Sequence, residues 1–207
     1  LGTTLKIGWA SARLDLFEPE AKLRGVLHGK WRNALCRAER LAIKVVEGEG
    51  DILFDTFLQG YREHLRNSGK HSGLSEKFLS VYNGLQLPRE KLQLFLAFID
   101  GKPVGGVCVA KYGMFAEYLL GYNNEIGRKN SVGQLLLWSA ISSLKKQNFK
   151  IFDLGGMDPN RTPRGIFRFK KRVGGKPYRL ASEIESKSIT LTQRLIRWQV
   201  MWARRGY

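Results

Sequence analysis

The sequence has few of the residues that build metal centres or disulfide frameworks. Its 207 residues include two cysteines, Cys36 and Cys108, and three histidines, and none has a partner at the short spacing typical of metal ligands. We therefore expect packing or surface roles for these five side chains in a reducing, cytoplasmic environment. We predict no metal site. No apolar run reaches the roughly 20 residues that a membrane-spanning helix needs.

Acidic residues are also scarce. The chain has 18 Asp and Glu against 35 Lys and Arg, which gives a formal net charge of +17. An excess of this size indicates a polyanionic partner, and nucleic acid, a phosphorylated substrate and an anionic membrane all fit it. The imbalance is strongest between Arg161 and Arg179, where no acidic residue occurs. Because a solvated structural surface normally mixes both signs, this segment favours a negatively charged ligand.

The rest of the composition is that of a folded domain, with 43% hydrophobic and 11% aromatic residues. Apolar periodicity predicts mixed α/β structure, in which a mostly antiparallel central sheet is flanked by helices. This order is similar to that of the GNAT-like acyltransferase fold, which splays two neighbouring strands. The predicted helices are 18–41, broken at Gly29, then 51–66, 75–85 and 132–146; the predicted strands are 92–99, 104–112, 115–122, 151–154 and 178–184, with a polar loop at 123–130.

One stretch organises the rest of the chain. Ile151 to Leu154 is an apolar run bounded by breakers, which predicts a buried strand. Gly155 and Gly156 follow and leave backbone amides uncovered, so a ligand can approach the carboxyl end of that strand. A strand, a turn and a basic surface helix without a ligand would give the same pattern, and spacing alone leaves both interpretations open. The cationic residues that follow are Arg164, Arg168, Lys170, Lys171 and Arg172.

Three segments together resemble the FemABX family: His28–Leu41 (HGKWRNALCRAERL), the Leu94–Tyr112 hairpin, and Ile151–Gly175 with its IFDLGG and GIFRFKKRVGG motifs. Members of that family transfer aminoacyl groups from tRNA and build the interpeptide bridges of peptidoglycan. The resemblance covers about residues 14–183. The family fold has two tandem GNAT-like domains, and this chain, which we expect to form a single domain over 1–207, resembles the second. A preceding domain or a partner chain would then supply the other half of the site.

The resemblance also implies roles for individual residues. Lys170 corresponds to the family lysine that lies beside the reacting ester and the 3′ end of the tRNA, and Phe169 to its neighbour, which could stack on a terminal base. Asp153, in the Asp-Leu-Gly-Gly turn, is the nearest candidate for a general base, and a turn-capping role fits it equally well. The remaining candidates for tRNA or substrate binding are Arg164, Arg168, Lys171, Arg172, Gly155, Gly156, Lys30, Arg32 and Arg37.

These residues imply transfer of an aminoacyl group from aminoacyl-tRNA to an amine, most directly that of a peptidoglycan precursor. Because the donor is already an activated ester, the reaction needs neither a metal nor a cofactor. It needs the amine and the ester held together, and a fixed cation such as Lys170 for the oxyanion of the tetrahedral intermediate. A lipid, a protein N-terminus and a small peptide stay open as acceptors.

Two other functions also stay open. An acyl-CoA-dependent N-acyltransferase would cradle pyrophosphate with a Gln/Arg-x-x-Gly-x-Gly/Ala loop before a helix, and Arg128–Gly133 fits except that Ser131 replaces the first glycine. A non-catalytic RNA- or membrane-binding module would use the basic surface and an amphipathic helix predicted at about 189–205. Such a helix could place the protein at the inner face of the cytoplasmic membrane.

Overall fold

A computed structural model describes residues 3–6, 8–69, 73–85, 87 and 90–185. The chain divides into two compact units, Ala10–Tyr178 and a smaller unit made from Leu1–Trp9 and Arg179–Tyr207. The helix predicted at 189–205 lies outside the described residues, and a single-domain organisation stays a prediction. The strands are β1 Thr3–Lys6, β2 Ala10–Asp15, β3 Lys44–Gly48, β4 Leu92–Ile99, β5 Lys102–Tyr112, β6 Phe115–Asn123, β7 Ile151–Asp153, β8 Lys176–Arg179 and β9 Glu183–Glu185.

Helices lie in half of the intervals between consecutive strands. The smaller unit contains the antiparallel pair β1 and β9, and there the Leu180 amide donates to the Trp9 carbonyl oxygen over 2.8 Å. The helices all fall in the larger unit as far as the structure describes the chain: α1 Glu20–Gly25, α2 Gly29–Glu39, α3 Asp51–Ser68, α4 Glu76–Asn83, α5 Glu125–Lys129, α6 Val132–Lys146 and α7 Arg164–Lys171.

Within the described residues, strands β2 to β8 form one seven-stranded sheet in the order β3-β4-β5-β6-β7-β2-β8. Neighbours from β3 to β6 are antiparallel, as are β7 and β2, whereas β6 and β7 are parallel. The predicted fold class, a mixed and mostly antiparallel sheet flanked by helices, is confirmed. The parallel pair brings strands from the middle of the chain beside β2 from its beginning.

The sheet separates two hydrophobic cores. Successive side chains of a strand point to opposite faces, so Phe95 and Leu94 of β4 enter different cores. Phe95 belongs to the core that contains Leu35 of α2 and Leu136 of α6. Leu94 belongs to the core that contains Phe57 of α3. The sheet is therefore covered by helices on both faces of its antiparallel half.

Local structure at several points follows from the residues there. Ser75 caps α4, because its Oγ accepts a hydrogen bond of 3.2 Å from the Phe78 amide. Asp100 and Gly101 both have positive φ angles, +49° and +73°, as a two-residue hairpin turn requires. The predicted break at Gly29 is the start of α2.

Other local predictions were wrong. Strand β3 was not foreseen, because an edge strand with only two apolar residues gives little periodicity. The predicted polar loop 123–130 contains α5, which begins where Asn124 Oδ1 accepts from the Gly127 amide at 2.9 Å. The predicted strand 178–184 is two separate strands, β8 and β9. Ile52, an apolar residue, is exposed at the first turn of α3.

Candidate functional site

The sheet opens between β6 and β7. The two strands pair in register for only three residues each, ending with Glu117 beside Asp153. β7 stops there, while β6 continues to Asn123. A cavity of about 440 Å³ lies along this unpaired part of β6 and against α7. Its lining residues are Tyr61, His64, Gly106, Val107, Tyr118, Leu119, Leu120, Gly121, Tyr122, Asn123, Arg128, Gly133, Gly165, Ile166, Phe169 and Lys170.

The glycine pair shapes the end of this gap near β7. Gly155 has a φ of +69°, a conformation that other residues adopt with strain, and a Cβ there would lie 2.5 Å from the Tyr118 carbonyl oxygen. Both facts require glycine at position 155. The carbonyl oxygen of Gly156 accepts a hydrogen bond from Lys170 Nζ over 3.4 Å. The sequence predicted that a ligand can approach the glycine pair closely. In the structure, the side chain of Lys170 from the same chain lies there.

Lys170 is the most unusual residue of the cavity. Only 7% of it is exposed, although it lies in the basic helix α7. Its Nζ lies 4.8 Å from the centre of the Tyr118 ring, which adds a cation–π contact to the hydrogen bond with Gly156. Among the described residues, no carboxylate forms an ion pair with it. The direct contacts of the ammonium group described here are therefore a carbonyl oxygen and an aromatic ring.

The environment shifts the protonation of Lys170. Burial lowers the pKa of Lys170 to about 8, and the carboxylates of Glu117 and Asp153 oppose this shift. The ammonium form still predominates at neutral pH. A buried cation without an ion pair can stabilise negative charge on a ligand strongly, because water does not screen it.

Asp153 has its carboxylate oxygens occupied. Oδ1 accepts from Ser11 Oγ and, at 2.9 Å, from the Gly155 amide; Oδ2 accepts from Tyr178 Oη at 2.5 Å and from Arg13 Nε at 3.2 Å. The bond to Gly155 is the turn-capping role that the sequence left open. Its role as a general base stays a prediction, and its four donors favour a positioning role over proton transfer.

Glu117 was missed by sequence reasoning. It is half-buried and lies beside Asp153 at the last parallel pair of β6 and β7. Burial, and to a smaller extent the Asp153 carboxylate, raise the pKa of Glu117, while Lys170 opposes the shift. A carboxylate with a raised pKa beside a gap accepts a proton more readily than an ordinary carboxylate does. Only its position at the end of the pairing between β6 and β7 distinguishes Glu117. That position is known only once the register of the two strands is known.

The other candidates on α7 divide by exposure. Phe169 lines the cavity and also packs on Trp31 of α2, with ring centres 5.9 Å apart. Arg172 is half-buried, and its carbonyl oxygen accepts from the His28 amide at 2.9 Å. Together these contacts join α7 to the start of α2. The fully exposed cations of α7 are Arg164, Arg168 and Lys171.

The three cations predicted on α2 do not form one patch. Lys30, Arg32 and Arg37 are all exposed. Lys30 and Arg37 are seven residues apart and share a helix face, whereas Arg32 points to roughly the opposite side, since each residue turns the helix by about 100°. Arg32 donates to the Gly25 carbonyl oxygen over 3.4 Å. An anion that binds both α7 and α2 would therefore meet Lys30 and Arg37 together, or Arg32, but not all three.

The loop proposed for pyrophosphate reaches the far end of the cavity. Arg128 and Gly133 both line it, and Ser131 precedes α6 with a φ of +58°. This left-handed conformation is the one that a glycine would adopt without strain. Arg128 Nη1 donates to the Asn123 carbonyl oxygen at 2.9 Å, which ties the arginine to the end of β6.

The part of the chain that the structure describes has neither a candidate metal site nor a candidate membrane-spanning helix. No group of three or more His, Cys, Asp and Glu side chains comes together there in the way that a metal ion would require. No helix in the same residues is both long and apolar enough to span a bilayer.

Two splayed strands beside a cavity are the arrangement expected of a GNAT-like acyltransferase fold. The chain belongs to the GNAT family, since the family model described as "Acetyltransferase (GNAT) domain" matches residues 21–171. No curated protein matches the chain by sequence.

Several solved structures are similar in fold. FemX superposes with a TM-score of 0.76 at 13% identity, over 91% of this chain and 63% of FemX. The C-terminal domain (DUF2156) of a putative lysylphosphatidylglycerol synthetase from Agrobacterium fabrum gives 0.66 at 16% identity, over 90% and 62% of the two chains. L-PGS from Bacillus licheniformis gives 0.61 at 15% identity, over 100% and 69%. The fold is FemABX-like, as predicted, and the chain spans less than two thirds of the first two structures.

Proposed function

We propose that this protein transfers an aminoacyl group from aminoacyl-tRNA to an amine. The observation that carries the proposal is the Lys170 ammonium, which is buried at the gap between β6 and β7 without an ion pair to any described carboxylate. Burying such a charge is unfavourable unless a ligand or reaction intermediate uses it. The negative charge on the oxygen of a tetrahedral intermediate is a fitting partner.

The chemistry needs one base besides this cation. The acceptor nitrogen attacks the ester carbonyl carbon, and the oxyanion forms beside Lys170 Nζ. Glu117 takes one proton from the attacking amine and returns it to the ribose oxygen as the carbon–oxygen bond breaks. An amide and a free tRNA 3′ end result, so the step balances without a cofactor. Asp153 holds the Gly155 turn in place during this step.

The donor would lie along β6. A volume of about 440 Å³ is within the range of small-ligand pockets, and the aromatic lining suits a terminal nucleoside with its aminoacyl group. Phosphates of the tRNA would bind the exposed cations Arg164, Arg168 and Lys171, with Arg172 and the α2 cations beyond them. Such contacts position the nucleic acid without reading its sequence.

The acceptor class follows the relatives. FemX supports a peptidoglycan precursor, and the two lysylphosphatidylglycerol synthetase structures support a lipid, which would require peripheral contact with a membrane. Because this chain spans 63% of FemX, a further domain or a partner chain would complete the acceptor site. A cytoplasmic location beside the membrane fits both acceptors.

An acyl-CoA donor is the second candidate. The glycine-like conformation of Ser131 and the reach of the cavity to Gly133 favour it. The Ser131 side chain stands against it, since it occupies the place where the motif leaves room for phosphate.

Binding experiments separate the two donors. Titration of the full-length natural protein with fluorescently labelled aminoacyl-tRNA should show binding that weakens steeply with salt. Arg168→Gln should lower both the affinity and the salt dependence, and Lys44→Gln, which removes a charge at the distant edge strand β3, should change neither. Calorimetry with acetyl-CoA should show no heat of binding. Tight acetyl-CoA binding together with no tRNA binding at low salt would overturn the proposal.

A further inference from the structure

The register of β6, β7 and β2 places charged side chains of both signs on one face of the sheet. Glu117 lies beside Asp153, and Asp153 beside Arg13. Paired residues of adjacent strands point to the same side, so these three share a face. Ala116 and Phe152, which alternate with them, point into the helix-covered core. We call this surface the Glu117 face; it consists of Arg13, Tyr112, Phe115, Glu117, Asp153 and Tyr178.

Arg13 is held in place on this face and is still accessible. Its Nε donates to Asp153 Oδ2 at 3.2 Å, and its guanidinium carbon lies 4.1 Å from the centre of the Tyr178 ring. Even so, 47% of its side chain is exposed. Its two terminal nitrogens form no ion pair with any carboxylate that the structure describes. An anchored and half-exposed guanidinium is a preorganised site for a carboxylate or phosphate.

The Glu117 face includes an aromatic pair. Tyr112 and Phe115 lie opposite each other on β5 and β6, with nearly parallel rings 6.1 Å apart. They are 42% and 40% exposed, which is unusual for two adjacent aromatic rings. Burial of the carbon chain of a ligand against these rings would be favourable.

The position of the donor decides what this face can bind. In the proposed reaction the ester lies beside Lys170, at the end of the cavity where β6 and β7 separate, and the donor fills the cavity from there towards Arg128. An amine must reach the ester at the Glu117 end. The Glu117 face is accessible at that end, and its carboxylate can accept a hydrogen bond from the neutral amine that attacks, before it takes the proton released by the attack.

We infer that the Glu117 face binds the acceptor, and that the acceptor carries an anionic group which pairs with Arg13. The inference rests on the proposed function and adds the substrate class: an amine with a carboxylate or phosphate on the same molecule. Glu117 and Arg13 both flank Asp153, so their backbones are two strand spacings apart, roughly 10 Å. Their side chains bring the two charges closer, which suits a molecule whose amine and anion are separated by several bonds.

A series of acceptors tests this pairing. Initial rates are measured with saturating aminoacyl-tRNA and either glycine, aminobutyrate or aminohexanoate, each compared with the alkyl amine of the same length. The kcat/KM ratio of aminocarboxylate to alkyl amine should be highest for one of the longer molecules, at about tenfold, the value of one charged hydrogen-bonded pair. Phosphoethanolamine, free and as the headgroup of vesicles made of phosphatidylethanolamine, distinguishes a soluble acceptor from a lipid.

The variants separate binding from a structural role. Arg13→Gln should lower kcat/KM for aminocarboxylates more than for alkyl amines and so remove the preference between them, whereas Lys44→Gln should leave the preference unchanged. If Arg13→Gln slows both acceptor classes equally, Arg13 only holds Asp153 and the inference is wrong. Should no acceptor react, ligand-observed NMR can still measure the binding of aminohexanoate to wild type and to Arg13→Gln. Equal binding by both proteins, or binding by neither, overturns the inference. Binding that is lost only in the variant supports the inference, although the proposed transfer then fails.

Discussion

Among the described residues, one lysine is buried in the antiparallel half of the sheet and one beside the splayed strands. The two charges have different surroundings. In the antiparallel half, Lys111 of β5 is 3% exposed and contacts the Glu49 carboxylate, to which Lys91 also lies 3.8 Å away. At the splay, Lys170 is 7% exposed; its Nζ contacts a backbone carbonyl oxygen and a tyrosine ring, and no described carboxylate forms an ion pair with it. The first charge is neutralised within the fold. The second has no such partner among the described residues, and we propose that it serves a ligand, as functional buried ions usually do.

Removal of the unpaired charge should have the largest effect. We expect Lys170→Met to lower the rate of aminoacyl transfer by about 100- to 1,000-fold, the effect of losing one group that stabilises an oxyanion. Single-turnover assays with preformed enzyme–tRNA complex measure the chemical step. The melting temperature at pH 7 should stay equal or rise, because an apolar side chain replaces a buried cation. A variant that melts earlier and transfers normally would assign Lys170 a structural role.

Removal of the paired charge should affect folding instead. We expect Lys111→Met to lower the free energy of unfolding by about 1–3 kcal/mol, less than for a fully buried pair because Glu49 is 36% exposed. Urea titration measures this loss, and the transfer rate per folded molecule should not change. Glu49→Gln combined with Lys111→Met should lower the stability by less than the sum of the two single substitutions, since both remove the same contact.

The pH dependence should distinguish the two lysines more finely. With the pKa of Lys170 lowered to about 8, kcat/KM should fall as pH rises through 8, and the acidic limb should reflect Glu117, whose pKa is raised. Lys170→Arg should move the alkaline limb upward. Folding gives a second readout: the unfolded chain keeps the proton up to the ordinary value of 10.5, so the stability of wild type relative to Lys170→Met should rise between pH 8 and 10.5. A profile that is flat around pH 8 would contradict the assigned role.

Sequence patterns predicted the strand before Gly155 and the glycine turn, because both depend on neighbouring residues. The contribution of Lys170 came from the family motif, and the structure places its side chain in a cavity. The partners of Asp153 could not be predicted, because Ser11, Arg13 and Tyr178 are distant in sequence and meet it only through strand order. Glu117 is a single acid in an apolar strand and carries no local pattern. Arg32 resembles Lys30 and Arg37 in sequence, and only the helix rotation separates them.

The sheet order has a consequence for assembly. From β3 to β6, each strand pairs with the next strand of the chain. Arg13 and Asp153, in contrast, meet across 140 positions of the chain. Closing so long a loop is slow and entropically unfavourable, so β7, β2 and β8 should join a hairpin core that has already formed. Partial unfolding would then release β2 first and dissolve the gap, with its glycine turn and its lysine, while the rest of the molecule stays folded.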